Sequence, residues 1–317
     1  MKRNPTIDLL KLVFSFGVIG IHAQLFKEIN TPLWSILTMG LFRIGVPFFF
    51  VTSGYFYYQK IVNQQEIKPY ILKLVKLFLM FEVMEVLIYT PFIIQGGNVL
   101  NHIWSALSVG LGGAYWYITS TIITLLLVTP LWKKKKIIPT LLVGLIFHFI
   151  ILTNDSYSSF FQGTWIQEIA KIHTSIWRWP QAGLGSSLFY LSLGAYLFEK
   201  EPKIKQINFL LMGSMIGLMI EAYFLQMRGA NDGNGYLFLF ICAPLLFMYA
   251  KQRPINLDFP LMGKMSLYVY MIHPFFLIVS RIIVSFIYPS NELAFIFCSL
   301  LTVTLSFVIS KKDNKYI

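Results

Sequence analysis

Apolar runs of about 20 residues, long enough to cross a bilayer, return from one end of this 317-residue chain to the other, with only short polar gaps between them. Lipid offers no hydrogen bonds, so a chain crossing it repeatedly has to satisfy its own backbone, and the expected fold class is all-α and polytopic. The composition agrees. Charged residues make up 13% and hydrophobic ones 56%, against roughly 25% charged in an ordinary soluble domain. Spans are expected near residues 7–27, 33–58, 70–94, 115–132, 137–153, 182–198, 207–226, 235–250, 264–287 and 292–310, about ten in all, forming one transmembrane domain over 1–317.

A formal net charge of +12 raises nucleic acid as a partner, but the basic residues are divided among short loops with no aromatic-basic stripe on a soluble surface. Membrane topology explains them better. With the N-terminus inside, the 26 lysines and arginines fall on the inner side except Lys27, Arg43, Lys171, Arg178, Arg228 and Arg281, so both termini are expected to be cytoplasmic. The run Lys133 to Lys136 is then an orientation signal. The basic start is followed by no convincing cleavage site, and the first run is expected to be a retained helix of a multi-pass plasma-membrane protein, of bacterial type. Cys242 and Cys298 lie in apolar spans without metal-ligand spacing and are expected to be packing residues. No metal cluster, dinucleotide fingerprint or phosphate loop is present, and Gly110-Leu111-Gly112-Gly113 is expected to be a flexible turn at a helix start.

Ionisable side chains inside spans are costly and mark function by default. His22 lies deep in the first span as drawn. Arg43 and Pro47 share the second, with Thr52, Ser53 and Gly54 beyond them; the proline is expected to bend the helix, and the small residues to admit a close neighbour. Glu82 and Glu85, at i and i+3, are expected to share a face, pairing with cations or lining a polar channel. His273 in the ninth span is suited to an active site or to a structural hydrogen bond. His148, His102 and Glu221 fall toward outer ends, where solvation is expected. The outer segment from about Asn154 to Ala182, carrying Trp165, His173, Trp177 and Trp179, is expected to lie on the membrane or to meet an external acceptor.

Several of these residues occur in a recognisable order. Lys11, ten intervening residues and His22 open the chain, the Phe-rich Ser53-Gly54-Tyr55 helix follows, and Lys73 and Lys76 stand at i and i+3. Tyr115-Trp116-Tyr117 then opens the fourth span, and Ser266-Leu267-Tyr268-Val269-Tyr270-Met271-Ile272-His273-Pro274 lies in the ninth. In this the chain resembles the membrane-bound acyltransferase-3 family from Asp8 to His273. Lysines stand at 11, 73 and 76 where that family mostly has arginines, which keeps the charge but loses the planar fork that grips phosphate in two bonds.

The resemblance implies transfer of an acyl group, commonly acetyl, from cytoplasmic acetyl-CoA to a hydroxyl of an extracytoplasmic envelope glycan, with acetyl-CoA as donor and no metal. Lys11, Lys73 and Lys76 would then meet the phosphates of the donor, although snorkelling to lipid would also account for them. From Lys11 to His22 a helix climbs about 16 Å, roughly half of a 30 Å hydrocarbon core. His22 would serve as base or acyl carrier and Arg43 as oxyanion partner, while Asp8 orients Lys11 or caps the first turn. The outer loop is too short for a transferase domain, so the membrane domain acts directly or a separate extracytoplasmic partner finishes the reaction. A second reading is an amino-acid or small-solute transporter with His22, Arg43, Glu82, Glu85 and Arg281 along its path. The membrane halves of vancomycin-resistance serine racemases are similar to this chain and suit that reading. Those proteins carry a further racemase domain, for which an end at Ile317 leaves no room.

Overall fold

A computed structural model describes residues 4–94, 99–230, 233–257 and 259–313, and their regular structure is helical throughout. In chain order the helices are α1 (Pro5–Ala23), the short α2 (Thr31–Leu33), α3 (Gly45–Val62), α4 (Lys68–Ile94), α5 (Val99–Ser108), α6 (Trp116–Lys133) and α7 (Ile137–Leu152). They continue with α8 (Trp165–Trp177), α9 (Ser187–Lys200), α10 (Ile207–Met227), α11 (Leu239–Gln252), α12 (Met262–Ile287) and α13 (Asn291–Asp313). Each of the ten expected spans coincides with helix. Five stretches are long and apolar enough to cross a membrane: Pro5–Ala23, Thr31–Val62, Ile207–Met227, Met262–Ile287 and Asn291–Lys312; α7 and α11 are apolar but shorter. Large apolar side chains such as Phe209 and Phe286 stand exposed on these helices, an arrangement suited to lipid and costly in water.

The second expected span is not one α-helix. After α2 the chain makes a π-helical turn at Trp34–Thr38 and a 3-10 turn at Leu41–Ile44 before α3 begins at Gly45. Pro47 therefore sits at the third position of α3, where its missing N–H has no helical acceptor to lose, and the expected bend gives way to a helix start. Unbroken apolarity in the sequence conceals this interruption, because hydropathy does not register a change of winding.

The chain divides into two compact units. One comprises residues 1–48, 205–227 and 236–317. In it α1, α12 and α13 pack on one another through Ile19, Ala23, Val269, Leu277 and Cys298, with Leu12, Phe16, Phe276 and Phe295 around them. Cys298 and Cys242 are buried free thiols, as expected of packing residues. Glu221, near the C-terminal end of α10, accepts the backbone N–H groups of Leu237 (2.6 Å) and Phe238 (2.9 Å) ahead of α11. It is a helix-start clamp and not the solvated carboxylate that its position near an outer end suggested.

The other unit comprises residues 49–204 and 228–235. There α3 and α9 meet backbone to backbone: a Cβ on Gly54 would collide with the Leu191 carbonyl oxygen, and one on Gly194 with the Val51 carbonyl oxygen. His148 is buried, with Nδ1 2.7 Å from the Gly185 carbonyl and its ring against Phe189 and Tyr190. That corrects the solvated reading of this histidine. Helices α5 and α8, absent from the expected set, join through the Trp104 indole N–H, which donates to the Ile176 carbonyl, and through the Trp104–Trp177 ring pair. Two polar residues of α8 face inward: Gln167 Nε2 donates to the carbonyls of Thr153 and Ser158, and His173 is buried. Trp165, Ile169, Ile172 and Ile176 form an exposed stripe on α8, and Leu100, Ile103, Trp104 and Leu107 another on α5, the pattern of helices lying in a membrane interface.

Candidate active site

Helix α1 opens on Asn4, whose side-chain oxygen accepts the N–H groups of Thr6 (3.0 Å) and Ile7 (3.2 Å), with Pro5 at the first helical position. The capping role left open for Asp8 thus belongs to Asn4. Asp8 and Lys11 lie one turn apart and act on each other electrostatically, and Gly263 on α12 comes close to the Asp8 carboxylate, where an added Cβ would stand 2.7 Å from Oδ1. Lys11 is half-buried.

The far end of α1 falls earlier than the sequence suggested. Gln24 and Phe26 adopt left-handed backbone conformations (φ 58° and 69°) and end the helix at Ala23. The Phe26 N–H donates to Glu292, and the Thr38 hydroxyl to the Leu25 carbonyl, so the turn is held from two sides. His22 therefore occupies the last turn of α1 and is half-buried, a helix-end histidine and not a mid-span one. Its backbone carbonyl, orphaned by the end of the helix, accepts a 3.0 Å bond from Arg281 Nη2.

Arg43 reaches the same place from the 3-10 turn. Its neighbour Phe42 lies on Gly17 and Gly20 of α1: a Cβ on Gly17 would be 3.3 Å from the Phe42 side chain, and one on Gly20 2.9 Å from its ring. Two glycines one turn apart thereby seat the turn that carries Arg43 against the helix that carries His22. Arg43 Nη2 touches Met39 Sδ at 3.5 Å, and the charges of Arg43 and Arg281 both bear on His22.

His273 completes the group. It is fully buried on α12, with its ring centroid 5.1 Å from that of His22. His273 Nδ1 lies 2.6 Å from the Tyr270 carbonyl, while Nε2 is buried without a hydrogen-bond partner among the described residues. The Cys298 thiol approaches the His273 carbonyl at 3.6 Å. The structure thus gathers His22, Arg43, His273 and Arg281 in one unit. Arg281 was expected only along a transporter path and not beside the catalytic candidates; here it stands at His22, eight residues after His273 on the same helix.

The remaining candidates belong to the other unit. Lys73 and Lys76 are exposed one turn apart on α4. Glu82 and Glu85 are buried further along α4 and hold a loop: Glu82 Oε1 accepts the Leu111 N–H (3.1 Å) and Glu85 Oε2 the Gly112 N–H (2.8 Å). Gly110 has φ 83°, so the segment read as a flexible turn is a fixed one clamped by two carboxylates. The other oxygens, Glu82 Oε2 and Glu85 Oε1, are buried without hydrogen-bond partners among the described residues. Two stretches noted separately in the sequence also meet, Ser53 Oγ and Tyr117 Oη being 3.0 Å apart with Phe50 against the Tyr117 ring. Among the described residues no three His, Cys, Asp or Glu side chains gather as metal ligands.

The acyltransferase-domain family profile matches residues 4–311. Among curated proteins the chain is similar to an amino-acid racemase of Enterococcus faecalis, 26% identical over 98% of this chain and 46% of that protein. It is also similar to a serine/alanine racemase of Enterococcus gallinarum, 26% identical over 86% of this chain and 41% of the relative. The chain spans less than half the length of these relatives, and no solved structure matches it significantly. With a profile match over nearly its whole length and apolar helices long enough to span a bilayer, the chain is a membrane protein that belongs to the acyltransferase-3 family.

Proposed function

We propose that the protein is an O-acetyltransferase of a bacterial plasma membrane, moving an acetyl group from cytoplasmic acetyl-CoA to a hydroxyl of an envelope glycan. The observation that carries this reading is the position of His22 at the end of α1, with Arg43 and Arg281 acting on it and His273 beside it. His22 removes the hydroxyl proton as the acceptor oxygen bonds to the acyl carbon, and Arg43 stabilises the oxyanion that forms. The carbon–sulfur bond then breaks, and the departing thiolate takes the proton from His22.

Lys11, half-buried near the start of α1, and the exposed pair Lys73 and Lys76 supply cations suited to the donor's phosphates. Each is a point charge, so the grip is weaker in geometry than an arginine fork. A separate extracytoplasmic transferase completes the transfer where the acceptor lies beyond reach of the membrane domain.

The names of the relatives favour a second reading. Both are called racemases of amino acids, and a membrane region similar to theirs suits passage of an amino acid. The two readings part in one experiment: the protein in vesicles with its cytoplasmic face outward, given acetyl-labelled acetyl-CoA outside and an envelope glycan fraction within. Label on the glycan, abolished by His22→Ala with protein level and insertion unchanged, is the expected result. Undiminished transfer by His22→Ala removes His22 from the chemistry, and amino-acid flux without label transfer replaces the enzyme by the carrier.

A further inference from the structure

Proline at 274 has no N–H, so the carbonyl four residues earlier, that of Tyr270, loses its helical donor. A buried carbonyl without a partner costs on the order of 1–3 kcal/mol. His273 Nδ1 lies 2.6 Å from it. A carbonyl oxygen can only accept, so Nδ1 carries the proton. In the neutral ring Nε2 then has none and is an obligate acceptor. It is this atom that lies fully buried without a hydrogen-bond partner among the described residues, in a ring whose centroid is 5.1 Å from that of His22. A linear N–H···N bond between two imidazoles, with a donor–acceptor separation of ~2.9 Å, puts the ring centroids roughly 5 Å apart. The separation therefore already suits such a bond, and rotation of the half-buried His22 ring aligns it.

We propose that the His273-Pro274 pair fixes the protonation pattern of a two-histidine site. Pro274 commits His273 to the Nδ1–H form, and His273 Nε2 accepts the ring N–H of His22. His22 then presents its other nitrogen, free of a proton, to the acceptor hydroxyl. His273 is in this scheme a positioning residue, and the scheme rests on the reading of His22 as the base. Sequence alone gave no access to it, because a His-Pro step acquires this meaning only when the carbonyl freed by the proline and the neighbouring histidine are both located.

The test is nitrogen NMR of the full-length protein in lipid nanodiscs, with ¹⁵N-labelled histidines assigned by His22→Gln and His273→Gln. The expected wild-type spectrum has His273 neutral and protonated at Nδ1. Pro274→Ala returns an N–H to the Tyr270 carbonyl and is expected to release His273 to the Nε2–H form or a mixture. Acyl transfer is then expected to fall on the order of tenfold to a hundredfold in kcat, with the KM for acetyl-CoA unchanged and the pH–rate profile displaced. A wild-type His273 protonated at Nε2, or a Pro274→Ala spectrum identical to wild type, overturns the proposal. Should Pro274→Ala fail to fold, His273→Gln and His273→Phe decide: the amide keeps an acceptor and the ring keeps the packing, so greater activity in the phenylalanine variant overturns it. An active His22→Ala refutes the base assignment instead, and leaves the spectrum of His273 as a separate result.

Discussion

Replacing Gly20 by alanine tests whether the seating of Phe42 on α1 sets the position of Arg43. The added Cβ would stand 2.9 Å from Phe42 Cε2 and 3.2 Å from Cδ2. Carbon atoms rest at ~3.5–4.0 Å, so the ring has to withdraw by about 0.5–1 Å. Its base is confined too, because Gly17 lies under the same side chain, 3.3 Å from Cβ and Cγ by the same measure. The displacement therefore passes into the Leu41–Ile44 turn and to Arg43. A misplacement of about 1 Å in a catalytic group costs on the order of a hundredfold in rate, while the overpacking itself costs about 1–3 kcal/mol. The expected outcome is a folded protein with acyl transfer lowered about a hundredfold, measured with labelled acetyl-CoA in vesicles beside thermal stability in detergent. Gly20→Ala combined with Phe42→Leu, which makes room for the methyl group, is expected to recover much of the rate. Full activity in the single variant, or no recovery in a stable double variant, refutes the reasoning.

Gly54→Ala sets a methyl group against the Leu191 carbonyl, a backbone atom unable to swing aside, and a loss of at least ~3 kcal/mol in stability is expected. Gly213→Ala, with nothing within 4 Å of the added atom, is the matched control for size-exclusion and melting measurements. In α8, burial pushes the His173 imidazole down from 6.5 to about 4. The unfolded segment binds a proton before the folded one, so docking of α8 is fully stable above about pH 6.5 and weakens as pH falls toward 4, by about 3 kcal/mol at most. Hydrogen exchange across Trp165–Trp177 at pH 7 and pH 4.5 measures this, and His173→Phe is expected to remove the difference.

The hydropathy pattern located helix in each of the ten stretches expected to span, because an apolar run that faces lipid has to satisfy its own backbone; five stretches are long and apolar enough to cross. It failed where winding or amphipathicity decides. The break between Thr31 and Gly45 lies inside an apolar stretch, and the end of α1 at Ala23 depends on two left-handed residues and on Glu292, far away in sequence. Helices α5 and α8 fell in polar gaps because their apolar residues occupy one face. Of the site, His22, Arg43 and His273 were legible as ionisable residues in apolar surroundings. Arg281 was legible as an ionisable residue of a span, but its bond to the His22 backbone carbonyl was not, and Glu82 and Glu85 found backbone partners where cations or a channel were expected.

The reciprocal contact of Gly54 with Leu191 and of Gly194 with Val51 has a mechanical consequence. Sliding or rolling of α3 against α9 would drive one carbonyl into the other helix, so these two move as a single beam. Shape changes within their unit have to be taken up at other joints, such as the loop around Gly110 that Glu82 and Glu85 hold by backbone hydrogen bonds. Ser53, next to Gly54 in the middle of α3, belongs to that beam, and a spectroscopic label placed there follows the whole of it.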